Sequence, residues 1–229
     1  MTGTMRKGIL ALTAALALAL PRAAGAEATS PDAVAAALRI LFETPYLSEL
    51  PVPGTVTYGF RREAEDASGF EDRVTLRLLE DQGEGRRRVA FDFLNGRQRM
   101  PFAPKDGVRG NPLVMLFLQR DVVWMGRTFG GNHHYFRIRV LDALRHDVKS
   151  QRITRELDGE PTAMTLLTIA PYVGDVERAR FAAQEHKRYE FTLSPDVPGG
   201  IYQIRSVVPG GANGRPAIEE TMTFTGVTP

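Results

Sequence analysis

Residues 55–60 read TVTYGF, residues 73–78 read RVTLRL and residues 88–93 read RVAFDF. Each stretch alternates apolar with polar side chains at a period of two, the mark of a half-buried antiparallel strand. The apolar sets are Val56, Tyr58 and Phe60, then Val74, Leu76 and Leu78, then Val89, Phe91 and Phe93. Thr57, Thr75, Arg77, Arg88 and Asp92 fall on the opposite face. Ser68-Gly69 and the glycines at 83 and 85 supply hairpin connections between them. The three stretches therefore predict a sheet with one apolar, aromatic face and one polar face.

Before this sheet, Ser30-Pro31-Asp32 opens a helix: a capping hydroxyl, a proline that needs no amide partner, and an acid favoured by the helix dipole. Val34, Leu38, Leu41 and Phe42 recur at helical spacing, and Pro45 stops the helix near Glu43. After the sheet, Asn111-Pro112 repeats the cap-plus-proline start, which predicts a helix over 113–125 closed by Gly130-Gly131. Asn132 caps a second helix carrying Tyr135, Phe136, Val140, Leu141 and Leu144, so a helical hairpin is inserted between stretches of sheet. Strands follow over 151–156 and 163–169 around Asp158-Gly159, then a short helix after Asp175 with Val176, Phe181 and Ala182. Three more strands over 188–193, 201–208 and 217–225 complete the chain. Short turns between about eight strands imply antiparallel pairing. The fold class is α+β: a curved, mainly antiparallel, half-barrel-like sheet, with an N-terminal helix and an inserted helical hairpin packed on one face.

The first 26 residues predict export. Arg6 and Lys7 precede an apolar stretch over 8–20, and the small residues Ala24, Gly25 and Ala26 form a cleavage site before Glu27. The stretch is shorter than the roughly 20 residues a helix needs to cross a bilayer. Residues 27–229 are then a single periplasmic domain with no membrane span. The chain has no cysteine, which excludes lipoprotein anchoring, disulfides, thiol catalysis and thiolate metal sites. Removal of Arg6, Lys7 and Arg22 with a segment that holds no acid turns the formal charge from +2 to −1. A near-neutral domain lacks the basic footprint of a nucleic-acid binder. Arg86, Arg87 and Arg88, the one strong cluster, open a strand and so divide between its two faces.

Few residues suggest chemistry. No Gly-x-Ser-x-Gly exists, and Ser194, before Pro195 and Asp196, is explained as a turn hydroxyl. His133 and His134 lie about 100° apart around a helix and cannot ligate from one face. Asp142 and His146, four apart, are the better metal-ligating pair, but no third ligand can be placed and there is no His-Glu-x-x-His. Glu219 and Glu220 are neighbours on a strand and face opposite ways. Asp92 belongs to the polar face with Arg88, where a cross-strand ion pair accounts for it. Phosphate-cradling loops are missing, and no cofactor is expected.

The conspicuous features are apolar. Residues 113–118 read LVMLFL, a helix start with no polar face, and such a helix must be covered. Gln119, Arg120 and Asp121 interrupt the run before Val122, Val123, Trp124 and Met125 restore it. Tyr58, Phe60, Phe91, Phe93, Tyr189, Phe191 and Phe224 share the inner face of the sheet, where large aromatics either fill a core or line a cup. With Phe117 and Trp124 on the covering helix, these are the candidate ligand-binding residues.

The order of elements over most of residues 30–224 resembles the periplasmic lipid and lipoprotein carriers of the LolA and LppX type. That resemblance implies a half-open barrel lidded by helices. Gly110-Asn111-Pro112 and Val197-Pro198-Gly199-Gly200 resemble stretches of uncharacterised exported bacterial proteins, which implies no activity. The expected function is non-enzymatic binding or carriage of an apolar, lipid-like molecule, or of an apolar segment of another exported protein. Two alternatives stand beside it: an envelope assembly or scaffold protein acting through loops such as 209–215, and a hydrolase or metal-dependent enzyme built around His133, His134, Asp142 and His146.

Overall fold

A computed structural model describes residues 30–66 and 68–229; the expected export signal, residues 1–26, lies outside the described residues. The chain opens with α1 (Pro31–Leu38), which runs on into a π-helical turn (Arg39–Glu43). Ser30 Oγ accepts a hydrogen bond from the amide of Ala33 at 3.1 Å, and the helix ends before Pro45, as the sequence requires. Strands β1 (Gly54–Ala64), β2 (Phe70–Asp81), β3 (Arg87–Phe93) and β4 (Lys105–Val108) follow. Next come α2 (Leu113–Phe129) and α3 (His133–His146), then β5 (Lys149–Leu157), β6 (Glu160–Ile169), β7 (Arg188–Leu193), β8 (Ile201–Val208) and β9 (Ile218–Thr228).

Among the described residues these strands form one open, wholly antiparallel sheet of nine, in the order β4-β3-β2-β1-β9-β8-β7-β6-β5. The expectation of about eight strands missed β4. Its residues, Lys-Asp-Gly-Val, include a single large apolar side chain, so no alternation marks it. The short helix expected after Asp175 is a 3-10 segment (Arg178–Gln184) whose middle residue, Phe181, leaves helical geometry at φ −137°. Val176 is 81% exposed and takes no part in the core, while Phe181 is buried.

The topology places the helices. β4 and β5 are the two edges of the sheet yet are separated in sequence only by α2 and α3. The chain passes from one edge to the other through the helical hairpin, which covers one face. Val56, Tyr58, Phe60, Val74, Leu76, Leu78, Val89 and Phe93 are buried under it, while the alternate residues of the same strands are mostly exposed or half-buried. Asn132 Oδ1 caps α3 by accepting the amide of His134 at 2.9 Å. Gly130 (φ +74°) and Gly131 (φ +87°) make the turn between the helices. α2 extends four residues beyond its expected end, to Phe129, so the glycine pair stops it directly.

Candidate functional site

The polar interruption of α2 explains the site. A row of directly opposed residues crosses the helix-covered face: Arg62 on β1 faces Glu220 on β9, which faces Ser206 on β8, which faces Tyr189 on β7. The adjacent row is Phe60, Met222, Ile204 and Phe191. Polar groups therefore occupy positions whose strand parity is that of the core. α2 lays Arg120 and Asp121 onto this row. Arg120 Nη1 donates to Glu220 Oε2 at 2.6 Å and Nη2 to Oε1 at 3.1 Å, while Arg62 Nη1 donates to the same Oε1 at 2.8 Å. Lys187, just before β7, places Nζ 2.5 Å from Asp121 Oδ1. The Tyr189 hydroxyl donates to the other carboxylate oxygen of Asp121, and the Tyr172 hydroxyl lies 3.5 Å from that of Tyr189.

Trp124, one turn further along α2, roofs the cluster. The Lys187 ammonium lies 5.1 Å and the Arg62 guanidinium 5.7 Å from its ring centroid, both within cation–π range. Arg120 lies in turn 5.0 Å from the centroid of Phe60. The five charged side chains are between 3% and 11% exposed. Burial alone would push the Glu220 carboxyl up, but Arg120, with Lys187 and Arg62, more than offsets this and holds it below the usual carboxylate range. Burial and then the Asp121 carboxylate push the Tyr189 hydroxyl well above the tyrosine range, so it remains a donor.

The nine candidate ligand-binding residues come together. Tyr58, Phe60, Phe91, Phe93, Phe117, Tyr189 and Phe191 belong to one buried cluster, and Trp124 and Phe224 pack against its margin. Phe60 stacks on Phe70 at 5.6 Å, Phe224 meets Tyr58 edge-on at 6.1 Å, and Phe91 and Phe93 both meet Phe102 edge-on. These side chains pack against one another, and Phe60 meets Phe117 of α2 at 6.3 Å between ring centroids. Asn111 pins the start of that helix: Nδ2 donates to the Tyr58 hydroxyl at 2.9 Å and to the Gly199 carbonyl at 2.8 Å, and Oδ1 accepts the Leu113 amide at 3.1 Å.

Two cavities adjoin this assembly. A polar surface groove of about 1280 Å³ between the β1–β2 and β8–β9 connections is lined by Arg61, Arg62, Phe70, Arg215 and Glu219, so Arg62 belongs both to the groove and to the buried row. An apolar cavity of about 280 Å³ lies among the three helices, lined by Leu38, Phe42, Met115, Leu141, Leu144 and Arg145.

The remaining candidates stand apart. Asp142 and His146 lie on the exposed side of α3, with Nδ1 of His146 3.1 Å from Asp142 Oδ1. Among the described residues no group of three His, Cys, Asp or Glu side chains could hold a metal ion. Ser194 Oγ donates to the Ala163 carbonyl at 3.0 Å and accepts the Asp196 amide at 3.3 Å, a turn hydroxyl as expected. Glu219 and Glu220 do face opposite ways: Glu219 pairs with Arg205 at 2.6 Å on the outer face. Asp92 makes its ion pair with Arg77, at 3.2 Å, while Arg88 turns to Asp106 at 3.6 Å. Within the arginine run, Arg87 is buried against Asp81 and the Ser48 carbonyl, whereas Arg86 and Arg88 are exposed.

Sequence reasoning missed Arg62, Glu220, Lys187 and Tyr172 as parts of one site. A signal existed: Arg62 continues the apolar parity of Val56, Tyr58 and Phe60, and Glu220 that of Met222 and Phe224. A charged residue at a core position asks for a buried partner of opposite sign.

The chain matches no protein-family model and no curated protein by sequence. Three solved structures align over most of it. The lipoprotein LppX of Mycobacterium tuberculosis aligns at 11% identity over 86% of this chain and 95% of its own, with a TM-score of 0.36. The MucA/MucB complex of Pseudomonas aeruginosa aligns at 13% identity over 85% of this chain and 56% of the matched chain, with a TM-score of 0.37. A LolA-superfamily protein of Nitrosomonas europaea aligns at 14% identity over 84% of this chain and 92% of its own, with a TM-score of 0.22. No helix among the described residues is long and apolar enough to cross a membrane.

Proposed function

We propose that this is an exported, non-enzymatic protein of the bacterial envelope that binds an apolar, lipid-like molecule between the aromatic face of the sheet and the α2–α3 cover. The observation that supports this most directly is the way the cover is fastened. A cover meant to stay shut is best held by hydrocarbon, because a buried ion pair is commonly no more stabilising than apolar side chains of the same volume. Here α2 buries Leu113, Val114, Phe117, Leu118, Val122 and Met125, but it also sets Arg120–Glu220 and Asp121–Lys187 into an otherwise apolar interface. Water can satisfy those groups when the helix lifts, which lowers the cost of opening.

The opened interface would offer Phe60, Phe91, Phe93, Phe191 and the apolar side of α2 to a ligand. Each Å² of apolar surface so hidden is worth roughly 25 cal/mol. Nothing in the arrangement requires catalysis: the ligand is desolvated, held and released as the cover moves.

The test is mass spectrometry of an organic-solvent extract of the purified exported protein, beside a Phe91→Asp variant shown to be folded. Lipid-like molecules in stoichiometric amount, lost in the variant, are the expected result. An empty extract, together with Trp124 emission that ignores added fatty acids and phospholipids, would rule the carrier out and direct the search to protein partners.

A further inference from the structure

We propose that the polar row reads an anionic head group on the ligand, and that Asp121 of α2 holds, in the closed form, the position the ligand's anion takes on Lys187 and Tyr189. This rests on the carrier function proposed above and adds the chemical class of the cargo. The buried cluster sets three cations, Arg62, Arg120 and Lys187, against two anions, Glu220 and Asp121, so its formal balance is one positive charge. When α2 lifts, Arg120 and Asp121 leave together. The sheet keeps Arg62 and Lys187 against Glu220 alone, again one cation in excess, now without the carboxylate that Lys187 and Tyr189 held. The Lys187 ammonium and the Tyr189 hydroxyl then lose the carboxylate they share, and a ligand anion that takes its place regains two charge-assisted hydrogen bonds.

The geometry suits an amphiphile. The floor beside the polar row is Phe60, Met222, Ile204 and Phe191, which accepts a hydrocarbon tail. Arg62, at the end of the row opposite Tyr189, also lines the polar surface groove. Tyr189 adds a hydroxyl donor and Lys187 an ammonium, both already directed at carboxylate oxygens of Asp121. Carboxylate and phosphate head groups share this chemistry.

The test uses three probes with one hydrocarbon tail and different heads: oleate, oleyl phosphate and oleyl alcohol. Each is titrated into the delipidated exported protein below its aggregation limit, with binding followed by Trp124 emission. The expected result is that both anions bind about tenfold or more tighter than the alcohol, the worth of one charge-assisted hydrogen bond. The tighter of the two anions tells a fatty-acid cargo from a phospholipid-like one. Lys187→Met is expected to lower the affinity ratio of each anion to the alcohol, measured within the variant, by about tenfold, whatever it does to the alcohol itself. Equal affinity for all three probes in the unaltered protein, which needs no variant to fold, overturns the head-group assignment and leaves the carrier standing. Failure of all three to bind overturns both.

Discussion

Glu220 joins the sheet to its cover, accepting from Arg62 on β1 and from Arg120 on α2. Its carboxyl lies below the usual glutamate value in the folded protein. Its contribution to stability is therefore fully present above the unfolded value of about 4.5 and is lost as pH falls from there through the lower folded value. Removing the charge strands two buried guanidinium groups, so Glu220→Gln is expected to cost about 3 kcal/mol at neutral pH. It should also flatten the decline of stability below pH about 4.5, leaving the slope due to groups such as Glu190 and Asp72, whose carboxyls are also lowered. Urea unfolding at a series of pH values checks both effects. Asn111 concentrates more bonding in one neutral side chain: its loss unpairs the Tyr58 hydroxyl, the Gly199 carbonyl and the Leu113 amide. Asn111→Ala should destabilise by about 3 kcal/mol, whereas Tyr58→Phe, which removes only one partner, should cost about 1 kcal/mol by the same measurement.

At the scale of elements, α2 was legible as a helix that must be covered, and the run of residues 113–118 was enough to show it. What remained hidden was why it is interrupted. Gln119, Arg120 and Asp121 read only as an interruption of the apolar run when the helix is considered alone, because the partners that explain them lie at Arg137, Glu220 and Lys187 on other elements. Strand parity could place Glu220 and Arg62 on the inner face, but not the register that sets one beside the other. The segment before β1 gives a sharper case. Gly200, at the β7–β8 turn, has φ +79°, and a β-carbon there would lie 2.2 Å from the Tyr46 ring. Gly200→Ala combines a left-handed backbone with a collision, and a loss of about 2 kcal/mol or more is expected in thermal or urea unfolding. Gly210 has similar backbone geometry but open space around it, so Gly210→Ala should cost less, about 1 kcal/mol.

For the whole molecule, the alternating stretches were sufficient to foresee an antiparallel α+β fold with an inserted helical hairpin. They could not give the strand order, which follows from β9 returning to pair with β1 and so leaving β4 and β5 at opposite edges. That order makes the hairpin a cover, since its two ends belong to opposite edges of one sheet. It also leaves β5 as an edge strand bearing Lys149, Arg152 and Arg155, charges that discourage pairing with another chain. The proposed function requires that this cover open as a unit while the sheet stays folded. Backbone hydrogen exchange of Leu113–Phe129, measured with and without saturating oleyl alcohol, tests it most directly. These amides are expected to exchange faster than those of β1, β9 and β8 in the free protein, and to slow markedly when the ligand is bound. Exchange of α2 only at the rate of global unfolding, unchanged by ligand, would contradict it and make the helix a fixed part of the core.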